Sequence, residues 1–274
     1  MVFDFLNFTF YLGREPEGCR LFLVILLTND DGINAKGLRI LRAEVAKVAD
    51  VVIVAPETEQ SAMGHAITLA APLRVREMVE NGEFIGYAVN GTPADCVKLA
   101  VTELLKEPPE LVISGINQGG NLGTCVIYSG TVSAATEAAI IGIPAIAVSL
   151  NTFVNPDFLP AAEFVRKLAP TLLRKRFPEG VSLNINVPAV PREEIKGAVI
   201  TRQGKSRVIE TFDKRVDPRN NTYYWMAGDL RFNESVEGTD TEMVANNYIS
   251  ITPIHYDLTD FKALEELKGW NITF

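Results

Sequence analysis

Two adjacent acids, Asp30 and Asp31, are the residues of this chain with the clearest potential for chemistry. They directly follow the apolar run 21–28, which is typical of a strand buried on both faces of a parallel sheet. Open α/β sheets bind their ligands at the carboxyl ends of their strands. Because neighbouring carboxylates repel each other, a divalent cation is a natural partner for them. Asp31 and Gly32 also suit an ordinary Asp-Gly turn, and the segment alone leaves both interpretations open.

Two further polar loops follow apolar, strand-like segments. The loop that contains Ser61 comes after residues 51–55, and the loop that contains Asn117 comes after residues 111–114. Parallel strands end at the same edge of a sheet, so these loops and the acid pair should converge, although each loop residue alone also suits a turn. Oxygen ligands without His or Cys favour a hard cation such as Mg²⁺, Mn²⁺ or Ca²⁺ over Zn²⁺. The sequence therefore predicts a metal site formed by Asp30, Asp31, Ser61 and Asn117.

A third polar element, Ser129-Gly130-Thr131, lies where a helix over 131–141 should begin. The free N–H groups and the dipole of a helix start attract anions, and Gly130 would let a phosphate approach the backbone. Plain helix capping by Ser129 or Thr131 is the alternative. An anion site beside a hard metal indicates phosphoryl chemistry.

Two histidines are present, His65 and His255. His65 lies in the second polar loop, where it could contact phosphate or carry a proton, or simply bond to the loop backbone. His255 follows a strand-like segment and is interpreted as structural.

Composition and missing motifs exclude several classes of protein. Of the 274 residues, 26 are basic and 34 acidic, and the net charge of −8 argues against binding to a nucleic-acid backbone. Two histidines cannot form a three-His zinc site within one chain. Dinucleotide, P-loop and nucleophile-elbow glycine motifs are absent. The longest apolar run, Leu21–Leu27, is far shorter than the roughly 18 residues of a membrane span, so no membrane partner is expected.

The cysteines and the N-terminus indicate a cytoplasmic protein. Cys19, Cys96 and Cys125 are widely spaced and form no C-x-x-C pair, so free thiols are expected. Residues 1–10 are apolar but contain no basic residue, unlike a signal peptide.

Strand and helix patterns alternate in the first half of the chain. The predicted strands are 21–28, 51–55, 111–114 and 144–149. Helices are predicted over 35–48 with Asn34 as cap and Val48 on the buried face, over 92–106 with Thr92 as cap, and over 131–141 with Gly142 at the end. This alternation predicts βαβ units, a parallel sheet and right-handed crossovers.

The second half is more mixed. A helix is predicted over 160–176 and strands over 181–187 and 248–254. Residues 202–219 contain six basic and three acidic residues, a net charge of +3, which is typical of a solvated loop or hairpin arm.

Many of these segments, taken in order, resemble the SurE family of 5′/3′-nucleotidases. The resemblance rests on the segments 25–32, 55–64, 91–97, 114–121, 128–132, 184–188, 238–240 and 249–253. It extends from about Leu21 to the C-terminal helix, and so many motifs in one order are far more specific than any single motif.

The resemblance implies an α/β fold with a Rossmann-like parallel-sheet core, helices on both faces, and a C-terminal β-rich extension that serves as an oligomerisation arm. It also implies a homodimer or homotetramer, and one divalent cation per subunit, Mg²⁺ or Mn²⁺. The family's metal ligands fall on Asp30, Asp31, Ser61 and Asn117. Its phosphate contacts fall on Asn121, Ser129, Gly130 and Thr131.

The expected organisation is one domain over 21–274. It consists of a core over about 21–200, an arm over about 201–240, and a C-terminal strand and helix over about 241–274. Residues 1–20 precede the usual family start and are expected to be a start-site artefact or a disordered tail.

The expected reaction is hydrolysis of a nucleoside 5′- or 3′-monophosphate to nucleoside and phosphate. Water is the expected nucleophile with Asp30 as its base, and a covalent aspartyl phosphate on Asp30 is the rival mechanism. The alternatives are a broad-specificity acid phosphatase or exopolyphosphatase, and a non-catalytic sensor of nucleotide or phosphate.

Overall fold

A computed structural model describes residues 24–175, 177–206, 209–229, 236–270 and 272. The predicted N-terminal extension, Cys19 and the first residues of the first predicted strand lie outside the described residues. The strands are β1 (Val24–Thr28), β2 (Asp50–Pro56), β3 (Val75–Glu80), β4 (Glu83–Val89), β5 (Leu111–Gln118), β6 (Ala145–Asn151), β7 (Val181–Pro188), β8 (Ala198–Ile200), β9 (Ile209–Val216), β10 (Thr222–Asp229) and β11 (Ile249–His255). The helices are α1 (Lys36–Val45), α2 (Pro93–Leu99), α3 (Gly130–Ile141), α4 (Leu159–Leu172), α5 (Asp240–Ala245) and α6 (Phe261–Lys268).

Nine of the described strands form one sheet in the order β3-β4-β2-β1-β5-β6-β7-β11-β8. The central strands from β4 to β7 are parallel, whereas β3 pairs antiparallel with β4 and β11 pairs antiparallel with β7. The predicted α/β class with a mostly parallel sheet is confirmed. Because the central strands are parallel, β1, β2, β5 and β6 all end at one edge of the sheet.

Helices cover both faces of the sheet. On β1, the side chains of Ile25 and Leu27 pack with α1 and α4, while Leu26 packs with α2 and α3. Alternate residues of the same strand are therefore buried on opposite faces, as expected for a strand inside a parallel sheet. None of the helices within the described ranges is long and apolar enough to cross a bilayer.

The predicted start and end of the first helix are wrong. α1 begins after Ala35 without a side-chain cap, and Asn34 is exposed. A close contact sets the position of this helix instead, because a Cβ atom at Gly37 would lie 2.1 Å from the carbonyl oxygen of Ile116. The helix ends at Val45, so Val48 lies beyond it and is 41% exposed.

The helix over 92–106 was predicted correctly at its start but not at its end. Thr92 forms the predicted cap: its hydroxyl accepts a hydrogen bond from the Asp95 amide at 3.1 Å, and the Asp95 carboxylate accepts one from the Thr92 amide at 2.9 Å. The Thr92 hydroxyl also donates to the carbonyl of Ala66 at 2.7 Å. The α-helix gives way to a π-helical turn at Ala100–Leu104 and stops there.

The strand predicted over 111–114 continues to Gln118. Its pairing with β6 shifts between Ser114 and Asn117, which is a bulge of the kind that re-aims side chains near functional sites. The extra residues place Asn117 within the sheet edge and not in a free loop.

The predicted hairpin arm is present. β9 and β10 form an antiparallel pair outside the main sheet, and every residue of β9 is exposed. The strand predicted over 248–254 appears as β11, and the C-terminal helix as α6. The boundaries of core, arm and C-terminal segment as parts of one domain stay a prediction.

We expect Thr92→Ala to lower the free energy of unfolding by about 1–2 kcal/mol, because the buried capping box loses its hydroxyl. Urea denaturation checks this. Thr102→Ala is the matched control, since the Thr102 hydroxyl is an exposed donor within the following turn. Equal stability of the two variants would contradict a structural role for the cap.

Candidate active site

The carboxylate of Asp30 joins the end of β1 to the start of α3. Thr131 donates from Oγ1 to Asp30 Oδ1 at 2.5 Å, and the backbone amides of Gly130 and Thr131 also donate to this carboxylate. A Cβ atom at Gly130 would lie 2.7 Å from Asp30 Cβ, so only glycine lets the helix approach so closely. Residues 101 positions apart thereby form one compact unit.

Burial dominates the electrostatics of the acid pair. Asp30 is almost fully buried, which raises the pKa of its carboxyl although three donors from α3 oppose the shift. Asp31 is half-buried, and burial followed by the neighbouring charge of Asp30 raises its pKa to about 6. The Gln118 backbone amide donates to Asp31 and partly offsets this. Both carboxyls therefore lose their protons at a higher pH than an exposed aspartate does.

The Ser61 loop and the end of β5, which contains Asn117, reach the acid pair through Gln60 and Gln118. The amide of Gln60, next to Ser61, donates to the backbone oxygen of Asp30 at 2.7 Å. Ser61 is exposed, and its hydroxyl donates to Glu59 Oε1 at 2.7 Å. Asn117 donates from Nδ2 to the carbonyl of Gly119 at 2.7 Å, so its oxygen is the atom that can ligate a cation.

The donor set fits a hard cation. It contains two carboxylates, a hydroxyl and an amide oxygen, and no sulfur or imidazole. Beside it, the buried Asn29 Oδ1 has no hydrogen-bond partner among the described residues. The described part of the chain contains no group of three or more His, Cys, Asp or Glu residues that could hold a metal ion. The use of the mixed oxygen set as metal ligands stays a prediction.

The start of α3 shows the capping role that was the alternative to anion binding. Ser129 Oγ accepts from the amide of Val132 at 3.1 Å and caps the helix. The first amides, those of Gly130 and Thr131, face Asp30. A phosphate at this helix start would therefore lie directly beside the acid pair.

Asn121 is held by buried side chains of neighbouring strands. Asn186 clamps its backbone from both sides: Oδ1 accepts from the Asn121 amide at 2.8 Å, and Nδ2 donates to its carbonyl at 3.1 Å. Asn184 donates to the same carbonyl at 2.8 Å. The Asn121 Nδ2 group donates to Ser149 Oγ at 2.8 Å, and its second hydrogen can serve a phosphate oxygen.

His65 bonds to the carboxylate of Glu137, a residue that the sequence motifs did not indicate. Its Nε2 lies 2.7 Å from Glu137 Oε2, and Lys98 donates to the other oxygen of this buried acid. Burial alone would raise the pKa of Glu137, but the hydrogen bonds from His65 and Lys98 outweigh it and lower the pKa. The loop that contains Ser61 is thus fastened to α2 and α3. The phosphate contact predicted for His65 stays a prediction.

The sequence model of the family described as Survival protein SurE matches residues 25–210. The chain belongs to the SurE family. The matched range contains all the candidate site residues, from Asp30 to Thr131. The resemblance described from the motifs is confirmed.

Curated relatives and a solved structure agree with this assignment. The chain is 50% identical over 248 residues to "5′-nucleotidase SurE" of Syntrophobacter fumaroxidans, a match that covers 90% of this chain and 99% of that protein. It is 55% identical over 245 residues to the protein of the same name from Syntrophus aciditrophicus, covering 89% and 92% of the two chains. The crystal structure of the SurE protein from Aquifex aeolicus superposes with a TM-score of 0.79 at 41% identity, covering 89% of this chain and 98% of that one.

Four residues around this SurE-family site were not among the predicted site residues, although three of them left a signal in the sequence. Glu137 is the one charged residue in the helix 130–141. Asn186 and Asn184 are polar residues two apart in a buried strand, so both point to the same face. Glu59 lies close enough to raise the pKa of Asp31, and nothing in its exposed loop marked it.

We expect stability without metal to depend on pH through Asp31. Its pKa of about 6 in the folded state exceeds the ordinary value of 3.8, so the unfolded chain loses its proton first as pH rises. Wild-type protein in EDTA should therefore become progressively less stable than Asp31→Asn between about pH 4 and 6, with a constant difference above that. Thermal melts across pH measure this.

Added Mn²⁺ should stabilise the wild type at pH 7 more than Asp31→Asn. Asp50→Asn, which removes an exposed carboxylate at the start of β2, is the control and should follow the wild type at every pH. A difference between Asp31→Asn and wild type that does not change with pH would refute the assigned shift.

Proposed function

We infer that this chain is a divalent-metal-dependent phosphomonoesterase that hydrolyses nucleoside 5′- and 3′-monophosphates to nucleoside and phosphate. One observation carries this inference: the carboxylate of Asp30, next to Asp31 at the end of β1, lies within hydrogen-bond distance of a glycine-containing helix start. That arrangement occurs in a chain about half identical to proteins named 5′-nucleotidase SurE. It offers a cation site and a phosphate site side by side.

The proposed ligands of one Mg²⁺ or Mn²⁺ per subunit are Asp30, Asp31, Ser61 and Asn117. A cation bound there supplies positive charge that stabilises the phosphate oxygens in the transition state. The substrate phosphate contacts the start of α3 at Ser129, Gly130 and Thr131, together with Asn121 and His65. These groups are already positioned by the fold, so little reorganisation accompanies the reaction.

Asp30 is the proposed base for the attacking water. The hydrogen bond from Thr131 fixes the orientation of its carboxylate, and a water held by this carboxylate would attack the phosphorus and pass a proton to the carboxylate. The water oxygen becomes part of the released phosphate, and the nucleoside leaves with the proton. In the rival mechanism, Asp30 itself attacks and forms an aspartyl phosphate before water releases it.

Purified protein should release phosphate from AMP, GMP and CMP in the presence of Mn²⁺ or Mg²⁺. EDTA should abolish this release. Asp30→Asn should lower the rate by roughly 10²–10³-fold, as expected for the loss of one oriented group of the catalytic site. Asp50→Asn is the control. Thermal melts must show that both variants are folded.

Each of the other outcomes points to a different function. Equal rates on an aryl phosphate and polyphosphate would indicate a broad phosphatase, and saturable AMP binding without release would indicate a sensor. A phosphoryl group found on the Asp30 peptide after acid quenching would replace the water mechanism with the covalent one. Unchanged release by folded Asp30→Asn would remove Asp30 from the mechanism altogether.

We also propose that the chain forms a cytoplasmic homodimer or homotetramer. The free cysteines Cys96 and Cys125 suit a reducing compartment. The hairpin β9–β10 supports the assembly, because an isolated two-stranded hairpin is marginal in water and needs a partner. One of its faces presents four apolar side chains that are 54–65% exposed: Phe212, Val216, Tyr224 and Met226.

Met226→Asp should shift the protein to a smaller assembly in analytical ultracentrifugation, because it puts a charge opposite Phe212 at the centre of that face. Arg219→Asp, at the exposed hairpin turn, should keep the wild-type mass. An unchanged mass for Met226→Asp would show that this face is not the interface.

A further inference from the structure

The loop after β6 presents an aromatic ring beside the candidate active site. Phe153 is 61% exposed, and its neighbour Val154 is 72% exposed. Single exposed apolar residues are common on protein surfaces, so exposure alone does not indicate a binding site. The position of Phe153 next to the acid pair and the conformation of its loop do indicate one.

One residue connects Phe153 to the acid pair. Gln118 donates from its backbone amide to the carboxylate of Asp31 and from Nε2 to the carbonyl of Phe153 at 2.8 Å. Gln118 pairs with Leu150 across the β5–β6 ladder, so both loops leave the same edge of the sheet. The backbone of Phe153 is therefore linked to the carboxylate of Asp31 through a single residue.

The loop holds the ring in place without a ligand. A Cβ atom at Gly119 would lie 2.5 Å from Cε1 and Cζ of Phe153, so the missing side chain at Gly119 makes room for the ring. Thr152 accepts from the amide of Val154 at 3.1 Å and donates to its carbonyl at 3.0 Å, which closes a tight turn around Phe153. A ring fixed in this way loses little freedom when a flat ligand stacks on it.

We propose that Phe153 is the stacking surface for the base of the substrate, an inference that rests on the proposed nucleotidase activity. A nucleoside monophosphate has one end for the phosphate site near Asp30 and one flat aromatic end about a ribose away. Every base has a π-face, so stacking accepts all of them and favours the larger purines. Phe153 thus defines the substrate class as nucleotides with little choice among bases.

A second exposed aromatic residue, Tyr128, is the alternative stacking surface for the base. Tyr128 is 60% exposed and directly precedes the helix cap Ser129. Its carbonyl accepts from the amide of Gly64 at 3.1 Å, so it belongs to the side of the site that contains the Ser61 loop. Phe153 and Tyr128 lie on opposite flanks, and kinetics can separate them.

The test compares substrates with and without a base. Phe153→Ala should raise the KM for AMP by roughly 5- to 150-fold with kcat nearly unchanged, because stacking is binding shared by substrate and transition state. The KM for ribose 5-phosphate, which lacks the base, should stay at the wild-type value. Phe153→Trp should keep the low KM for AMP, and Phe153→Leu, apolar but without a ring, should lose most of it.

Phe84→Ala is the matched control, since Phe84 is a partly exposed phenylalanine at the start of β4, on the opposite edge of the sheet. An equal loss on AMP and ribose 5-phosphate would overturn the proposal and assign Phe153 to shaping the loop alone. So would an unchanged KM for AMP, or a base-dependent loss found in Tyr128→Ala and absent from Phe153→Ala.

Adenosine binding separates this inference from the proposed activity. Adenosine has a base but no phosphate to hydrolyse, so calorimetry with the wild type reports on the base subsite even if no phosphate is ever released. Adenosine binding that is lost in Phe153→Ala supports the subsite whatever the activity. Adenosine binding that is unaffected in Phe153→Ala overturns it.

Discussion

The hydrogen bonds between Asp30 and the first turn of α3 determine how the rest of the site is arranged. Thr131 and two backbone amides hold the carboxylate, and Gly130 is required because any Cβ there would collide with Asp30. This contact buries Asp30, whose charge adds to the burial of Asp31 in raising the pKa of that second acid. The same contact places a helix N-terminus, which attracts anions, against the carboxylates that attract a cation. Groups that attract a cation and groups that attract an anion thus lie side by side, within one turn of backbone.

Long-range amide contacts complete the site, and they come from elements far apart in the chain. Gln60 reaches the backbone of Asp30, Gln118 reaches the carboxylate of Asp31, and Asn186 clamps Asn121 from the next strand but one. These partners are neutral, so they fix loop positions without changing the charge of the site. Backbone amides of Gln60 and Gln118 and the side-chain amide of Asn186 therefore fix the segments after the strands, which is how a rigid sheet positions functional residues that lie on loops.

Local patterns predicted most of the fold, and long-range contacts explain what they missed. Thr92 and Ser129 act through residues three positions away, so their caps could be inferred from the sequence alone. α1 depends on the approach of Gly37 to β5, which no local pattern reveals, and the cap predicted at Asn34 was wrong for that reason. The hairpin of β3 and β4 was overlooked, although its Asn-Gly turn at 81–82 is a recognised hairpin signal. The order of the strands predicted that the loops converge, but it did not predict which residues the loops contact.

The charges of the buried acids support the proposal that a cation binds at this site. Elsewhere in the fold, Glu44 pairs with Lys47 and Arg166, and Glu137 pairs with Lys98 and His65, and the pKa of each acid is lowered. Within the ranges that the structure describes, the acid pair at the end of β1 has no such salt bridge, and its pKa values are raised. A phosphate dianion that approached this pair on a chain of net charge −8 would be repelled. A metal ion bound at the proposed ligands would supply the positive charge that offsets this repulsion.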